Sequence, residues 1–226
     1  MEEKYMKKDT GRNRVAVGAL LVALFALWTV LIRTVDVQPI GQQGTDVGFA
    51  GLNGWFHRLT GVHMGLYTAT DLLSVIPFLV CAAFGVIGLV QLIRRRSLWK
   101  VDADILLLGV YYVVVILAYL LFEKLHLNYR PVLIEGKLES SYPSSTTLLV
   151  LAVMPTLAFQ AGRRMKPSAL RTAVQAAAIL FAVLMAAGRA VSGVHWLTDI
   201  VGGVLLSMGL YLLYVGAAAL AEDRRK

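Results

Sequence analysis

Apolar residues along the chain gather into six long blocks, near 15–33, 72–93, 104–122, 146–161, 170–187 and 197–219. A helix rises about 1.5 Å per residue, so blocks of this size match a hydrocarbon core about 30 Å thick. The fourth block is short, and a helix of that length spans where the bilayer thins locally. Pro77 and Pro155 fall inside blocks, where neighbouring helices can satisfy the carbonyl that each proline frees. The expected fold is all-α: one membrane-embedded domain over 1–226, a polytopic bundle of six transmembrane helices. The first block is longer than a signal-peptide core and has no small-residue cleavage site after it, so it reads as a retained span.

The stretch 34–71 is long for a connector and carries Phe49, Leu52, Phe56 and Leu59 at helical spacing, with Trp55 alongside. This spacing predicts a short extracytoplasmic amphipathic helix, with Asp46 placed to cap it. Such a helix either lies in the outer interface or packs over the mouth of the bundle.

Charge adds the orientation. Of the 22 lysines and arginines, sixteen fall in four clusters: Lys4, Lys7, Lys8, Arg12, Arg14; Arg94, Arg95, Arg96, Lys100; Arg163, Arg164, Lys166, Arg171; and Arg224, Arg225, Lys226. Arg33, Arg58, Lys124, Arg130, Lys137 and Arg189 make up the opposite set. That bias places both termini in the cytoplasm and requires an even number of spans. With 58% hydrophobic residues and a mean hydropathy of +0.67, the net positive charge points to anionic lipid at the cell membrane, not to nucleic acid. The single cysteine, Cys81, lies in an apolar run and excludes both a disulfide framework and a thiolate metal site. The histidines His57, His63 and His126 lack the spacing of metal ligands.

Candidate chemistry is confined to three segments, all expected on the outer side. In Gly188–Asp199, His195 and Asp199 are four residues apart, so a carboxylate can fix the imidazole tautomer and leave the other ring nitrogen free as nucleophile or base. Arg189 can bring a planar, permanently charged fork to the same place. A purely structural His–Asp pair stands as the alternative. In the segment Tyr142–Thr147, Ser144 and Ser145 open the fourth span, where a helix N-terminus attracts anions; simple capping is the alternative. The third segment carries Lys124, which can also snorkel to headgroups, and Arg130, which is followed by proline. No span interior holds a run of ionisable residues, which argues against a transporter.

The order of these segments resembles the type 2 phosphatidic acid phosphatase superfamily, whose pattern is Lys, six residues, Arg-Pro; then Pro-Ser-Gly-His; then Ser-Arg, five residues, His, three residues, Asp. Arg130-Pro131, Pro143-Ser144, and Arg189, His195 and Asp199 match at that spacing. The resemblance implies a six-span lipid phosphatase that forms a phosphohistidine on His195. Asp199 would orient the ring, and Arg130, Ser144, Ser145, Arg189 and Lys124 would hold phosphate oxygens. It implies no metal or other cofactor. The chain departs from the pattern in three places. Gly188 replaces the opening serine of the third motif. Glu123 occupies the lysine position, leaving Lys124 one residue and about 100° around a helix from it. Thr146 stands where the family has the histidine that protonates the leaving group. A lipid alkoxide leaves poorly without a proton, whereas a phosphate departs readily. The expected substrate, met at the outer leaflet, is therefore a lipid diphosphate such as a polyprenyl diphosphate, or else a lipid phosphate for which another group supplies the proton, His126 being the nearest candidate by sequence. The rival class is a non-hydrolytic lipid-phosphate-binding or phosphotransferase relative.

Overall fold

The computed structural model describes residues 2–225, with side chains described for 9–222. Eight α-helices make up the described chain: α1 (Glu2–Leu31), α2 (Ala50–Thr60), α3 (Met64–Leu73), α4 (Val75–Arg95), α5 (Ala103–Leu125), α6 (Ser145–Arg164), α7 (Ala169–Val191) and α8 (Leu197–Arg225). Six stretches are long and apolar enough to cross a membrane: Asp9–Leu31, Met64–Arg95, Ala103–Leu125, Ser145–Arg164, Ala169–Val191 and Leu197–Glu222. Each of the six apolar blocks falls on one of them, with ends shifted by up to eight residues.

The second span is two helices, broken at Ser74. Pro77 has no N–H to offer the carbonyl four residues back, and its ring crowds that carbonyl, so the helix cannot run straight through. The Ser74 hydroxyl donates to the Asp71 carbonyl at 2.5 Å. The break lets α3 turn over the mouth of the bundle, which brings Tyr67 and Asp71 toward α7.

Central α6 is the least hydropathic span and the most buried. Protein surrounds it, so it can carry polar groups that find partners. Gln160 donates to the Tyr214 hydroxyl at 2.6 Å, and Thr156 shares a 2.7 Å hydrogen bond with Tyr112. The Tyr111 hydroxyl donates to the Ala152 carbonyl at 2.8 Å, near the point where Pro155 interrupts the ladder.

Antiparallel α1 and α8 pack through glycines spaced seven residues apart, Gly11 and Gly18 against Gly209 and Gly216. A Cβ on Gly18 would come 2.8 Å from the Leu213 amide nitrogen, and one on Gly209 would come 2.9 Å from Val22 Cγ2. Between apolar helices in lipid, such close backbone approach supplies the van der Waals attraction that hydrophobic burial supplies in water. Gly209→Leu is expected to lower stability by about 1–3 kcal/mol through overpacking. Thermal unfolding in detergent, with Gly209→Ala as the milder partner, checks this.

Two groups of charge separate along the bundle. At one end, Arg95, Asp102, Asp104, Arg163, Arg164 and Glu222 form a lattice of ion pairs between 2.7 and 3.2 Å. At the other end lie Arg130, Arg189 and His195. Lys4, Lys7, Lys8, Arg224, Arg225 and Lys226, counted in the basic clusters, lie outside the described side chains.

Helix α2 sits over that second end. It buries Asn53, whose amide donates to the Gly48 carbonyl (2.8 Å) and the Thr198 hydroxyl (3.0 Å), while its carbonyl accepts the Thr198 N–H. Trp55 and Leu59 stay 53% and 67% exposed. The helix therefore packs over the mouth and displays an apolar edge as well. Asp46 does not cap it. Phe49 is the N-cap, in a left-handed conformation, with no side-chain bond. The Asp36 carboxylate accepts the Gly51 N–H at 2.7 Å instead, because the 38–47 turn, closed by the Gln38–Val47 bridge, brings Asp36 back under the helix.

Candidate active site

Three loop-and-helix junctions meet at the mouth covered by α2. The α7–α8 turn carries His195. Gly193, at φ +72°, lets this turn press against the backbone of Gly61, where any Cβ would collide with the Gly61 carbonyl. The His63 N–H donates to the Ser192 carbonyl at 2.9 Å and clamps the same turn. His195 and Asp199 are both buried.

Asp199 is held from two sides. Its Oδ2 accepts the Trp196 N–H at 2.9 Å and its Oδ1 accepts the Asn128 side-chain amide at 3.1 Å. His195 Nδ1 lies 3.7 Å from Asp199 Oδ2, within ion-pair range but beyond a hydrogen bond. The other ring nitrogen, Nε2, is 3.4 Å from Arg130 Nη1. A guanidinium can only donate, so Nε2 is the acceptor and the neutral ring carries its proton on Nδ1, facing Asp199. The lone pair of Nε2 thus points at Arg130. Burial, then the charges of Arg130 and Arg189, hold the His195 imidazole well below its ordinary value of 6.5, against the opposing pull of the Ser141 backbone.

Both arginines are fixed. Arg130 Nε is 3.1 Å from Glu139 Oε2. Arg189 Nη2 is 3.0 Å from Asp71 Oδ1 and 2.7 Å from the Thr146 hydroxyl, while Nη1 reaches the Tyr67 carbonyl and the Thr70 hydroxyl, each at 3.3 Å. The Tyr67 ring lies under both guanidinium groups, 5.7 Å from Arg130 and 4.6 Å from Arg189. Stacking on an aromatic face restrains a guanidinium without using its N–H donors.

These groups line a polar cavity of about 220 Å³ that includes Tyr67, Asp71, Glu123, Arg130, Glu139, Ser145, Arg189 and His195. Next to it runs an apolar groove of about 240 Å³ between α4, α5 and α6, lined by Phe78, Val115, Ile116, Leu120 and Leu149. Asp71, Tyr119, Ser145 and Leu148 border both.

The structure brings Arg130, Ser145, Arg189 and His195 together, with Asp199 behind the imidazole. Ser144 is fully buried and acts as the α6 cap: its Oγ accepts the Thr147 N–H at 3.5 Å, and its own N–H donates to the Asp199 carbonyl. Lys124 and His126 are not brought in. Glu123 lines the cavity, and the adjacent Lys124 is exposed, as a 100° step around α5 requires. His126 ends α5 in a left-handed conformation, exposed, with Nδ1 against the Lys124 carbonyl at 2.8 Å. Sequence reasoning gave no role to Asn128, Tyr67, Asp71 or Glu139. Asn128 lay unremarked within a motif segment, and Asp71 abutted an apolar block, where a lone carboxylate was the available signal.

A six-span helical membrane protein with a buried histidine and two arginines facing one polar cavity defines the class. Residues 80–220 match the PAP2 superfamily, and the chain belongs to that family. The fold is similar to the crystal structure of a transmembrane PAP2-type phosphatidylglycerolphosphate phosphatase from Bacillus subtilis, with a TM-score of 0.64 over 92% of this chain and 97% of that one, at 18% identity. No curated protein sequence matches.

Because the imidazole resists protonation, kcat/KM for any reaction using neutral His195 should not fall between pH 7 and 6 through this group. An unperturbed imidazole would be mostly protonated at pH 6. The same burial makes the fold less stable as pH drops below the unfolded value near 6.5, since the unfolded chain then binds a proton that the native state refuses. A pH–rate profile on the free-enzyme parameter, beside melts at the same pH values, checks both signs.

Proposed function

We propose that the chain is a membrane lipid phosphatase that cleaves a lipid diphosphate through a phosphohistidine, with its cavity on the extracytoplasmic face of the cell membrane. The observation that carries this reading is His195 Nε2, with its lone pair turned into a cavity that Arg130 and Arg189 also enter.

The phosphate group sits between the guanidinium groups, whose fixed charges favour the electron density that builds on its oxygens during transfer. Nε2 attacks phosphorus, and Asp199 steadies the imidazolium that forms. The lipid chain leaves along the adjoining apolar groove. Thr146, held on Arg189, has no proton suited to an alkoxide, so the favoured leaving group is a lipid monophosphate. No metal is needed, because arginines and the α6 N-terminus balance the charge. The bias of basic residues toward the segments on the other side of the spans supports cytoplasmic termini and an extracytoplasmic cavity. The similarity to a phosphatidylglycerolphosphate phosphatase supports the phosphatase class, and the choice of a diphosphate rests on Thr146.

Phosphate release from purified protein across phosphatidate, phosphatidylglycerol phosphate and polyprenyl mono- and diphosphates tests the proposal. The diphosphate is expected to be hydrolysed fastest. A clear preference for monophosphates defeats the substrate reading. Tight binding of the diphosphate with no release, or transfer only to an acceptor other than water, favours the binding or phosphotransferase relative to which Thr146 and Glu123 also point.

A further inference from the structure

A carboxylate belonging to none of the three motif segments stands where the polar cavity meets the apolar groove. Asp71, near the end of α3, has a side chain 57% exposed, and its Oδ1 lies 3.0 Å from Arg189 Nη2. The same nitrogen donates to the Thr146 hydroxyl at 2.7 Å. One guanidinium group therefore holds Asp71 beside the position where a proton-transferring histidine is missing.

Asp71 borders both the polar cavity and the apolar groove, whereas His195 and Arg130 line only the polar cavity. With the phosphate in the cavity and the lipid chain in the groove, the bond that breaks lies at their junction. In-line displacement requires the water of the second step to approach phosphorus from where the leaving group departed. Glu139 and Glu123 line only the polar cavity, and Glu139 is taken up by Arg130 Nε at 3.1 Å, on the His195 side.

The geometry points to Asp71 as the proton acceptor for the water that hydrolyses phosphorylated His195, a role that rests on the phosphatase reading. In that step the water oxygen forms a bond to phosphorus, the phosphorus–Nε2 bond breaks, and its electron pair returns to Nε2. One water proton passes to the Asp71 carboxylate and on to solvent from its exposed side. His195 is regenerated neutral, with Nδ1 still protonated, and inorganic phosphate is free. The first step asks no proton transfer of Asp71, since a lipid monophosphate leaves without a proton.

The test follows a polyprenyl diphosphate labelled at its terminal phosphorus, mixed with the full chain in detergent and quenched in alkali, which preserves the phosphorus–nitrogen bond. In Asp71→Asn, breakdown of the labelled protein is expected to slow about 10²–10⁴-fold, far more than its formation, which still yields about one equivalent of lipid monophosphate. Breakdown at the wild-type rate overturns the role. So does a loss of formation as large as the loss of breakdown, the mark of a carboxylate that merely positions Arg189. Asp71→Gly with added formate gives a second reading: formate is expected to speed breakdown of the trapped intermediate, and no effect of formate overturns the role. Wild-type protein that neither labels nor releases phosphate sinks the phosphatase reading together with this role. Wild-type turnover with an unaffected asparagine variant sinks this role alone.

Discussion

Replacing His195 by alanine is expected to lower phosphate release by on the order of 10⁴-fold or more, without unfolding the protein. Loss of a nucleophile removes the covalent route altogether, and the residue left behind must rely on charge and positioning alone. His195 Nε2 faces Arg130 at 3.4 Å, and Nδ1 lies 3.7 Å from Asp199 Oδ2, beyond hydrogen-bond range. The imidazole thus gives the fold little that alanine takes away, beyond a cavity. His195→Ala should therefore still bind a diphosphate lipid through Arg130 and Arg189, while no phosphoprotein forms. Turnover, labelling and binding measured on one preparation separate the effects. If His195→Ala retains more than about a tenth of wild-type turnover, the histidine is not the nucleophile.

Arg189→Lys is expected to reduce kcat by about 10³-fold or more, comparable with losing an arginine that stabilises the transferring phosphoryl group. The charge is kept, so the loss reports geometry. Arg189 is buried and spreads its N–H groups over the Tyr67 carbonyl, Thr70, Asp71 and Thr146. A lysine ammonium is compact, has three donors on a flexible stem, and cannot serve those four acceptors while keeping a further N–H free for a phosphate, as Arg189 does with Nε. Melting should also fall, because Thr70 and Thr146 lose a buried partner, each worth about 1–3 kcal/mol when left unsatisfied. A lysine variant with wild-type kcat and a raised KM alone would assign Arg189 to ground-state binding.

In the resting site each arginine already has a carboxylate partner, Glu139 on Arg130 and Asp71 on Arg189. Two guanidinium charges facing one small cavity repel each other, and the acidic partners offset this. Both acids came from outside the motif segments, so motif spacing alone described a more positive site than the folded one.

Six hydrophobic blocks were legible because a chain in hydrocarbon has to satisfy its own backbone, and apolar helices of about 20 residues do so locally. His195 and Asp199 were legible from their four-residue spacing, which is local, and Arg130 and Arg189 from an order of segments that resembles the family pattern. Their convergence is another matter, since Arg130 and His195 are 65 positions apart. Packing of α6 among its neighbours, the break at Ser74 and the clamp of residues 61–63 on the α7–α8 turn decided that meeting. Packing also decided that Glu123 and not Lys124 faces the cavity, that Asp36 and not Asp46 holds the start of α2, and that Asp71 stands beside Arg189. Each outcome depends on the rotation of a helix about its axis or on a contact between distant segments. Neither leaves a local signature in a sequence whose lipid-facing surfaces are uniformly apolar.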